Sequence, residues 1–374
     1  MTASFLPFVR PAIAEDTITG VAEVLRSGWI TTGPQVAAFE AELAAYVGGG
    51  RSALGYCHAT GALEQCLRAL DIGPGDEVIV PDMTFAATLN VVFQVGATPV
   101  LVDVDPLTRN LDAGRVEAAL SPNTRAVMPV HYAGLAVDMD PLNALARAHG
   151  LRIVEDAAHA IGTRDKGRQI GSFGDIACFS FHANKNLTTI EGGAVVTTDA
   201  EVLERLQMLR FHGQKKLPDG SYDILEPSNK YNLSDVCARI GRDQLAVLDE
   251  RNARRRNLAM QYFDALEGIE HVTLPARGDA GHAWHMFVVC IDYAALHTDR
   301  KSVRDALAER GIGTGVHYPA LHQLTVCKRL GVRAQDYPNA DRIGKQTLTL
   351  PLFPEMTADD VARVAHELRA VLHG

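Results

Sequence analysis

The chain has 374 residues, a net charge of −9, 47% hydrophobic residues and 22% charged residues. This length and balance indicate a globular protein with one large and one smaller domain. The acidic surface disfavours nucleic acid as a partner, although a local pocket can still attract a small anion.

No stretch reaches the length of a membrane-spanning helix, and residues 1–10 lack the basic-then-apolar pattern of a signal peptide. We therefore predict a cytoplasmic protein with no membrane partner. The six cysteines are scattered without C-x-x-C spacing, which predicts free, partly buried thiols and no metal site.

Residues 51–199 alternate between short apolar runs, which predict strands, and amphipathic stretches, which predict helices. The predicted strands are residues 77–80, 99–104, 126–130, 151–155, 176–181 and 194–197, and the predicted helices are residues 85–95, 115–120 and 142–149. This order predicts an α/β fold with a mostly parallel central sheet and flanking helices. Such sheets bind ligands at the carboxyl ends of their strands, so residues that follow strands are the candidate functional residues.

The second half of the chain begins with a helical pattern at residues 201–208 and a predicted exposed loop at 214–230, which contains Pro218, Gly220 and Pro227. Residues 235–266 predict one long helix that leads into a second domain. A strand at 284–291, a helix at 301–310 and a closing helix at 358–372, with Thr357 as its N-cap, complete the prediction.

Asp156 and His159 follow the predicted strand at residues 151–155. An aspartate at this position is often only a turn or cap residue, and the residue alone favours that interpretation. The functional alternative is that Asp156 holds a protonated pyridine nitrogen, because a fixed carboxylate raises the pKa of that nitrogen. His159 could contact the same ring, or it could be a structural histidine.

Lys185 follows the predicted strand at residues 176–181 and precedes the small segment Glu191, Gly192 and Gly193. Lysines are usually solvated surface residues. A lysine near cationic or apolar groups instead has a lowered pKa and can form an imine at neutral pH. One further loop and strand between Asp156 and Lys185 can bring both residues to the same edge of the sheet.

Residues 58–63 (HATGAL) join a strand to a helix that begins near Gly61. Small residues and the Thr60 hydroxyl at a helix N-terminus can bind phosphate through free N–H groups and the helix dipole. The alternative is an ordinary threonine N-cap. Phe85 could stack on a cofactor ring, although the residue alone favours a place in the core.

The sequence contains no P-loop, no G-x-G-x-x-G fingerprint, no H-E-x-x-H and no G-x-S-x-G motif. Binding of nucleoside triphosphates or of dinucleotides on a Rossmann fold therefore has no support. The residues by themselves predict an α/β enzyme with a phosphate site and a poised lysine, without naming a reaction.

Nine sequence blocks follow one another along the chain. They are residues 27–34 (SGWITTGP), 73–81 (GPGDEVIVP), 102–105 (VDVD), 155–160 (EDAAHA), 171–175 (GSFGD), 180–193 (SFHANKNLTTIEGG), 231–235 (YNLSD), 317–319 (HYP) and 350–354 (LPLFP). In this order they resemble the DegT/DnrJ/StrS family of nucleotide-sugar aminotransferases, which depend on pyridoxal 5′-phosphate (PLP). The resemblance implies a fold-type I transferase with a large PLP-binding domain and N-terminal arm at residues 1–250. It also implies a smaller α+β domain at residues 251–374 and a homodimer with shared active sites.

The resemblance also implies a role for individual residues. It places the Schiff-base lysine at Lys185, the partner of the pyridine nitrogen at Asp156, and a contact to the ring and its phenolic oxygen at His159. It implies phosphate contacts by Ala59, Thr60, Gly61 and Ser180, ring stacking by Phe85, and a phosphate contact from the other subunit by Asn232. It implies substrate contacts by Trp29, Thr31, Thr32, His317 and Tyr318.

The implied reaction moves an amino group from L-glutamate, through pyridoxamine 5′-phosphate (PMP), to a 4-keto-6-deoxy nucleotide sugar for surface polysaccharide or antibiotic sugar synthesis. Residues 185–189 (KNLTT) resemble members that aminate C4 rather than C3. The chain departs from the family pattern at Ala59, where glycine is usual, and at Ile190, where a small residue is usual. We expect Ile190 to alter the substrate side of the site.

Three alternatives stay open at this point. The first is a C3 sugar aminotransferase. The second is another fold-type I PLP enzyme, a lyase or an amino-acid aminotransferase, which would lack the blocks at residues 29–34 and 317–319. The third is a non-catalytic regulatory protein of the same fold. Lys185 disfavours that last alternative, and it also disfavours the dehydratases of the family, which carry histidine in its place.

Overall fold

The computed structural model describes residues 5–373. Residues 1–4 of the predicted large domain and residue 374 of the predicted small domain lie outside the described residues. The strands are β1 (Ser52–Tyr56), β2 (Glu77–Pro81), β3 (Thr98–Val102), β4 (Thr124–Val127), β5 (Arg152–Asp156), β6 (Arg164–Asp165), β7 (Arg168–Gln169), β8 (Ile176–Ser180), β9 (Gly193–Thr197), β10 (Gln214–Lys216), β11 (Tyr222–Ile224), β12 (Val272–Thr273), β13 (Phe287–Ile291) and β14 (Thr347–Leu350). The helices are α1 (Glu15–Ser27), α2 (Pro34–Val47), α3 (Ala59–Ala69), α4 (Ala86–Gln94), α5 (Ala113–Ala118), α6 (Met139–His149), α7 (Ala200–Leu209), α8 (Asp235–Ala246), α9 (Leu248–Leu266), α10 (Arg300–Glu309), α11 (Pro338–Gln346) and α12 (Ala358–His373).

The central sheet has seven strands in the order β1-β9-β8-β5-β4-β2-β3. Neighbouring strands from β8 to β3 pair in parallel, whereas β9 pairs antiparallel with both β1 and β8. β8 (IACFS) is buried along its whole length, as expected for a strand that is covered on both faces. The predicted α/β fold with a mostly parallel sheet is therefore confirmed.

The carboxyl edge of this sheet gathers several of the candidate residues. β5 ends at Asp156 and β8 ends at Ser180, and the two strands are adjacent and parallel. His58 follows β1 by two residues, and Thr84 follows β2 by three. Parallel strands end at a common edge, so segments that are far apart in the sequence meet there.

A second sheet lies in the C-terminal part of the chain. Its three antiparallel strands have the order β12-β13-β14. The buried residues Phe287, Val289 and Ile291 of β13 and Leu348 and Leu350 of β14 belong to one hydrophobic cluster with residues of α9, α10 and α12. The division into domains at residue 250 stays a prediction, and α9 begins at Leu248, two residues before it.

The segment predicted as an exposed loop contains a β-hairpin, so this prediction was wrong in part. β10 and β11 pair antiparallel, and Leu217 N donates to Ser221 O across the turn. Gly220 has a φ of 86°, which a side chain would disfavour. The proline and glycine that indicated a loop therefore form the turn of the hairpin, whose strand residues are largely exposed, as predicted.

The single long helix predicted over residues 235–266 is two helices, α8 and α9. They are separated at Val247, whose φ of −114° and ψ of 9° interrupt the helix. α8 packs against α1 and α2, whereas α9 packs against α12. The two helices thus have different main packing partners, and this aspect of tertiary packing is absent from the local hydrophobic pattern.

Three smaller predictions can be compared with the structure. The strand predicted from Trp284 begins only at Phe287, because Trp284 has a φ of 48° and cannot extend it. The N-cap at Thr357 is confirmed, since its Oγ1 accepts the Asp360 N–H at 3.2 Å. All six cysteines are free, as predicted, and four of them are buried.

Among the helices of residues 5–373, none combines the length and the apolar character needed to cross a membrane.

Asp235 connects α8 to the N-terminus of α2. Its carboxylate accepts the N–H groups of Gly33, Gln35 and Val36 at 2.8, 3.1 and 2.9 Å. No side chain of α2 caps this end, so the fully buried Asp235 satisfies it from another helix. A negative charge is also favourable there because it faces the positive end of the helix dipole.

We predict that Asp235→Ala lowers the free energy of unfolding by about 2–4 kcal/mol, because three N–H groups lose a charged acceptor. Asp235→Asn keeps one oxygen near Gly33 and Val36 and should cost less than the alanine variant. Urea denaturation followed by circular dichroism measures the difference. Equal midpoints for the three proteins would contradict this role of Asp235.

Candidate active site

A cavity of about 350 Å³ opens at the carboxyl edge of the central sheet. Its walls come from the segments that follow β1, β2, β4 and β5, from the segment between β8 and β9, and from residues 317–318. The candidate residues that line it are Ala59, Thr60, Phe85, Asp156, His159, Ser180, Lys185, His317 and Tyr318. The structure thus brings together nine of the residues selected from the sequence.

Lys185 lies in this cavity, in the segment between β8 and β9. Burial lowers the pKa of its ammonium group from 10.5 to about 8, and the negative charge of Asp156 opposes this effect. Transfer of an ammonium group out of water disfavours its charged form. At pH 7 about a tenth of Lys185 is therefore the uncharged, nucleophilic amine, far more than for an exposed lysine.

Asp156 is held at the end of β5 by two donors. Thr88 donates its Oγ1 hydrogen to Oδ2 at 2.7 Å, and Ala158 donates its N–H to Oδ1 at 3.1 Å. Burial raises the pKa of Asp156, while these two hydrogen bonds and the charge of Lys185 oppose the rise. Only 4% of the residue is exposed, so the carboxylate is a fixed partner for a buried cation or for a protonated ring nitrogen.

His159 lies between Tyr318 and His285. The Tyr318 hydroxyl is 3.1 Å from His159 Nε2, and the centres of the two imidazole rings are 4.5 Å apart. Burial, together with the nearby charge of Lys185, lowers the pKa of His159 well below its usual 6.5. His159 is therefore a neutral imidazole, and its buried Nδ1 has no protein partner.

His285 is fixed in one tautomer by Asn186. The Nδ2 group of Asn186 donates to Asn252 Oδ1 and to Ala283 O. Its Oδ1 must then accept from His285 Nδ1, 3.2 Å away. Burial lowers the pKa of His285 as well, so the ring beside His159 is neutral and held in place.

The first turn of α3 forms another wall of the cavity. His58 caps this helix by accepting the Gly61 N–H on Nδ1 at 2.8 Å, so the alternative of a Thr60 N-cap was wrong. α3 begins at Ala59 rather than near Gly61. Ala59 and Thr60 face the cavity, whereas Gly61 does not line it and has its N–H bound to His58.

These groups fit a phosphorylated pyridine aldehyde. The hydroxyls of Thr60 and Ser180 and the start of α3 can bind a phosphate, and Lys185 can bind an aldehyde. Asp156 can bind a protonated ring nitrogen. The unpartnered Nδ1 of His159 is a buried polar atom that is expected to bind a ligand atom.

Trp29, Thr31, Thr32 and Asn232 do not line the cavity of their own chain. Asn232 donates its Nδ2 hydrogen to Thr32 Oγ1, which donates to Leu233 O at 2.8 Å. Asp235 N donates to Thr31 O at 3.1 Å. Residues 29–33 and 232–235 thus form a separate group, which we name the distal cluster.

Two residues of the site, Thr88 and His285, were not predicted from the sequence. Thr88 lies four residues after Thr84, and the two hydroxyls are 2.9 Å apart. Thr84 precedes α4 and Thr88 lies in its first turn, so the position of both residues directly after β2 could have indicated side chains at the sheet edge. His285 carried no comparable local signal, because it reaches His159 only through the packing of the C-terminal part of the chain.

The chain is similar to known proteins over nearly its whole length. A sequence model of the DegT/DnrJ/EryC1/StrS aminotransferase family matches residues 11–369. Among solved structures, DesV from S. venezuelae has a TM-score of 0.90 at 37% identity, and the match covers 99% of this chain and 100% of DesV. The PMP form of Spr1654 from Streptococcus pneumoniae has a TM-score of 0.92 at 35% identity, with 98% of each chain covered.

DesI, solved in the presence of its TDP-sugar product, has a TM-score of 0.89 at 34% identity. The match covers 100% of this chain and 94% of DesI. The predicted family and the predicted fold are therefore confirmed.

We predict that Thr88→Val shifts the acid limb of the amino-transfer rate to higher pH by about one unit. The Thr88 hydrogen bond lowers the pKa of Asp156, so its loss lets the carboxylate take up a proton at higher pH. Thr88→Ser retains the hydroxyl and is the matched control. A pH–rate profile measures both variants, and an unshifted profile for Thr88→Val would show that this hydrogen bond does not control Asp156.

Proposed function

Because this chain belongs to the DegT/DnrJ/EryC1/StrS aminotransferase family, we propose that it transfers an amino group from L-glutamate to C4 of a 4-keto-6-deoxy nucleotide sugar. It is a sugar aminotransferase. The observation that carries the proposal is the Lys185 amine, whose pKa is lowered to about 8 in a cavity that it shares with the buried Asp156. The product would supply surface polysaccharide or antibiotic sugar synthesis.

The cofactor is PLP, in keeping with the PLP and PMP forms of Spr1654. When bound, PLP supplies an aldehyde carbon and an electron-withdrawing ring, which let an amino group pass from one substrate to another. Lys185 would hold the aldehyde and Asp156 the ring nitrogen. The phosphate would be held by Ala59, Thr60 and Ser180, and the ring face by Phe85.

Lys185 would also move protons at its Nζ atom. A pKa of about 8 leaves both the amine and the ammonium form present near neutral pH. A general acid/base works best when its pKa lies near the working pH, because it must both accept and return a proton. The charge of Asp156 raises the pKa of Lys185 and keeps it from falling further.

His159 would contribute a neutral hydrogen-bonding group beside the ring. Its pKa is lowered well below 6.5, so it adds no positive charge that would compete with the ring nitrogen for Asp156. Tyr318 fixes the position of the imidazole through the contact to Nε2. His317 and Tyr318 form the wall of the cavity that the substrate would meet.

DesI, in the presence of its TDP-sugar product, supports a nucleotide sugar as the amino acceptor. The similarity of residues 185–189 (KNLTT) to C4-specific members supports amination at C4. The C3 alternative has no specific observation in its favour. L-glutamate is proposed as the donor because the resemblance to this family implies it.

We further propose a homodimer in which the distal cluster completes the cavity of the neighbouring chain. Two observations support this arrangement. Trp29 is 60% exposed, which is unusual for the largest side chain of a folded protein. Asn232 Nδ2 has a second hydrogen besides the one that it donates to Thr32 Oγ1, and Asn232 lies outside the cavity of its own chain. Asn232 would reach the phosphate, and Trp29, Thr31 and Thr32 the substrate, across the subunit interface.

We predict that the purified enzyme aminates a 4-keto-6-deoxy nucleotide sugar with glutamate, and that Lys185→Ala abolishes this turnover while the fold persists. A panel of nucleotide keto sugars, followed by mass spectrometry of the products, measures the activity and the position of amination. A product aminated at C3 would contradict the C4 assignment. Undiminished turnover by Lys185→Ala would contradict the role of the lysine.

We predict that mixing Lys185→Ala chains with Asn232→Ala chains restores about a quarter of the wild-type activity. A hybrid dimer has one site with both defects and one site with neither, if Asn232 acts across the interface. The experiment requires that each parent is inactive and that the subunits exchange, which native mass spectrometry verifies. Hybrids that form without regaining activity would place Asn232 in the site of its own chain.

A further inference from the structure

Ile190 has a backbone conformation that its side chain disfavours. Its φ is 74°, in the left-handed region where a β-branched residue is an outlier. The residue is also 56% exposed. Neither the backbone preference nor burial within the chain therefore explains an isoleucine at this position, where glycine would be unstrained.

The surrounding turn imposes this conformation. Ile190 N donates to Thr188 Oγ1 at 2.9 Å, and Thr189 donates its Oγ1 hydrogen to Glu191 O at 2.7 Å. Gly192 follows so closely that a Cβ atom there would lie 2.0 Å from Thr189 Oγ1. The turn is thus held on both sides of Ile190, and strain that persists in this way is typical of functional sites.

Ile190 directly precedes two residues of the active-site cavity, although it is not itself part of the cavity lining. The next two residues, Glu191 and Gly192, line the cavity, and Lys185 lies five positions earlier in the same segment. Phe85 also lines the cavity, and 56% of it is exposed. Phe85 and Ile190 are thus two exposed apolar side chains, one in the cavity lining and one directly beside it in the chain.

We propose that Ile190 is a specificity-determining residue that contacts the methyl group beside the reacting carbon of a deoxy sugar. This inference rests on the proposed function. Isoleucine differs from glycine here by its apolar side chain, and more than half of the residue is exposed to solvent. A deoxy sugar has one apolar substituent among hydroxyls, and contact with it removes both apolar surfaces from water. A hydroxymethyl group at the same place would lose its hydrogen bonds to water.

The test uses two amino nucleotide sugars that differ only at C6, one with a methyl and one with a hydroxymethyl group. They are presented to the PLP-loaded enzyme in the reverse direction, and the change in cofactor absorbance gives kcat/KM for each. We expect the preference of the wild-type enzyme for the methyl substrate to fall about tenfold in Ile190→Asn. Ile190→Leu retains an apolar side chain and should keep most of the preference.

Asparagine tolerates the left-handed conformation, so Ile190→Asn should not lower the thermal unfolding midpoint. A wild-type enzyme that converts neither sugar would overturn the proposed function. Conversion with an unchanged preference in Ile190→Asn would overturn the inference about Ile190 alone. An unchanged preference together with a weakened dimer, measured by analytical ultracentrifugation, would also overturn it, because Ile190 would then belong to a subunit interface.

Discussion

The parallel pairing of β5 with β8 is the constraint on which the active site depends. In this pairing Asp156 lies opposite Cys178, so the end of β5 stands beside the strand that leads to Lys185. The carboxylate and the amine are then buried at one edge of one sheet, although β6 and β7 separate them in the sequence. Parallel strands that end together provide this proximity without any special contact between the two residues.

Burial at that edge also sets the protonation of the groups. It lowers the pKa of Lys185 and of His159, and it raises the pKa of Asp156. The lysine therefore becomes a nucleophile and the histidine stays neutral. The carboxylate remains available as a charged partner only because Thr88, Ala158 and Lys185 offset part of its desolvation. One physical effect thus gives three groups three different roles.

The N-terminal helices depend on a different interaction, which lies outside the cavity. Asp235 joins α2 to α8, and the same stretch of chain contains Asn232, whose Nδ2 hydrogen is donated to Thr32. These hydrogen bonds connect the distal cluster to α2 and α8. The exposed Trp29 of the cluster would be available to the second chain of the proposed homodimer.

The sequence by itself determined the mostly parallel sheet and most of its flanking helices, because hydrophobic periodicity is a local property. Periodicity placed Asp156 and Lys185 after strands, whereas their candidate roles came from the resemblance to the aminotransferase family. The sequence could not determine the break at Val247, the contact between Thr88 and Asp156, or the stacking of His285 on His159. These features depend on which distant segments pack together. Nor could it show that Trp29 and Asn232 lie away from the cavity of their own chain, or that Ile190 is held at a positive φ. Tertiary structure decided these points, because burial and backbone strain arise only when the whole chain has packed.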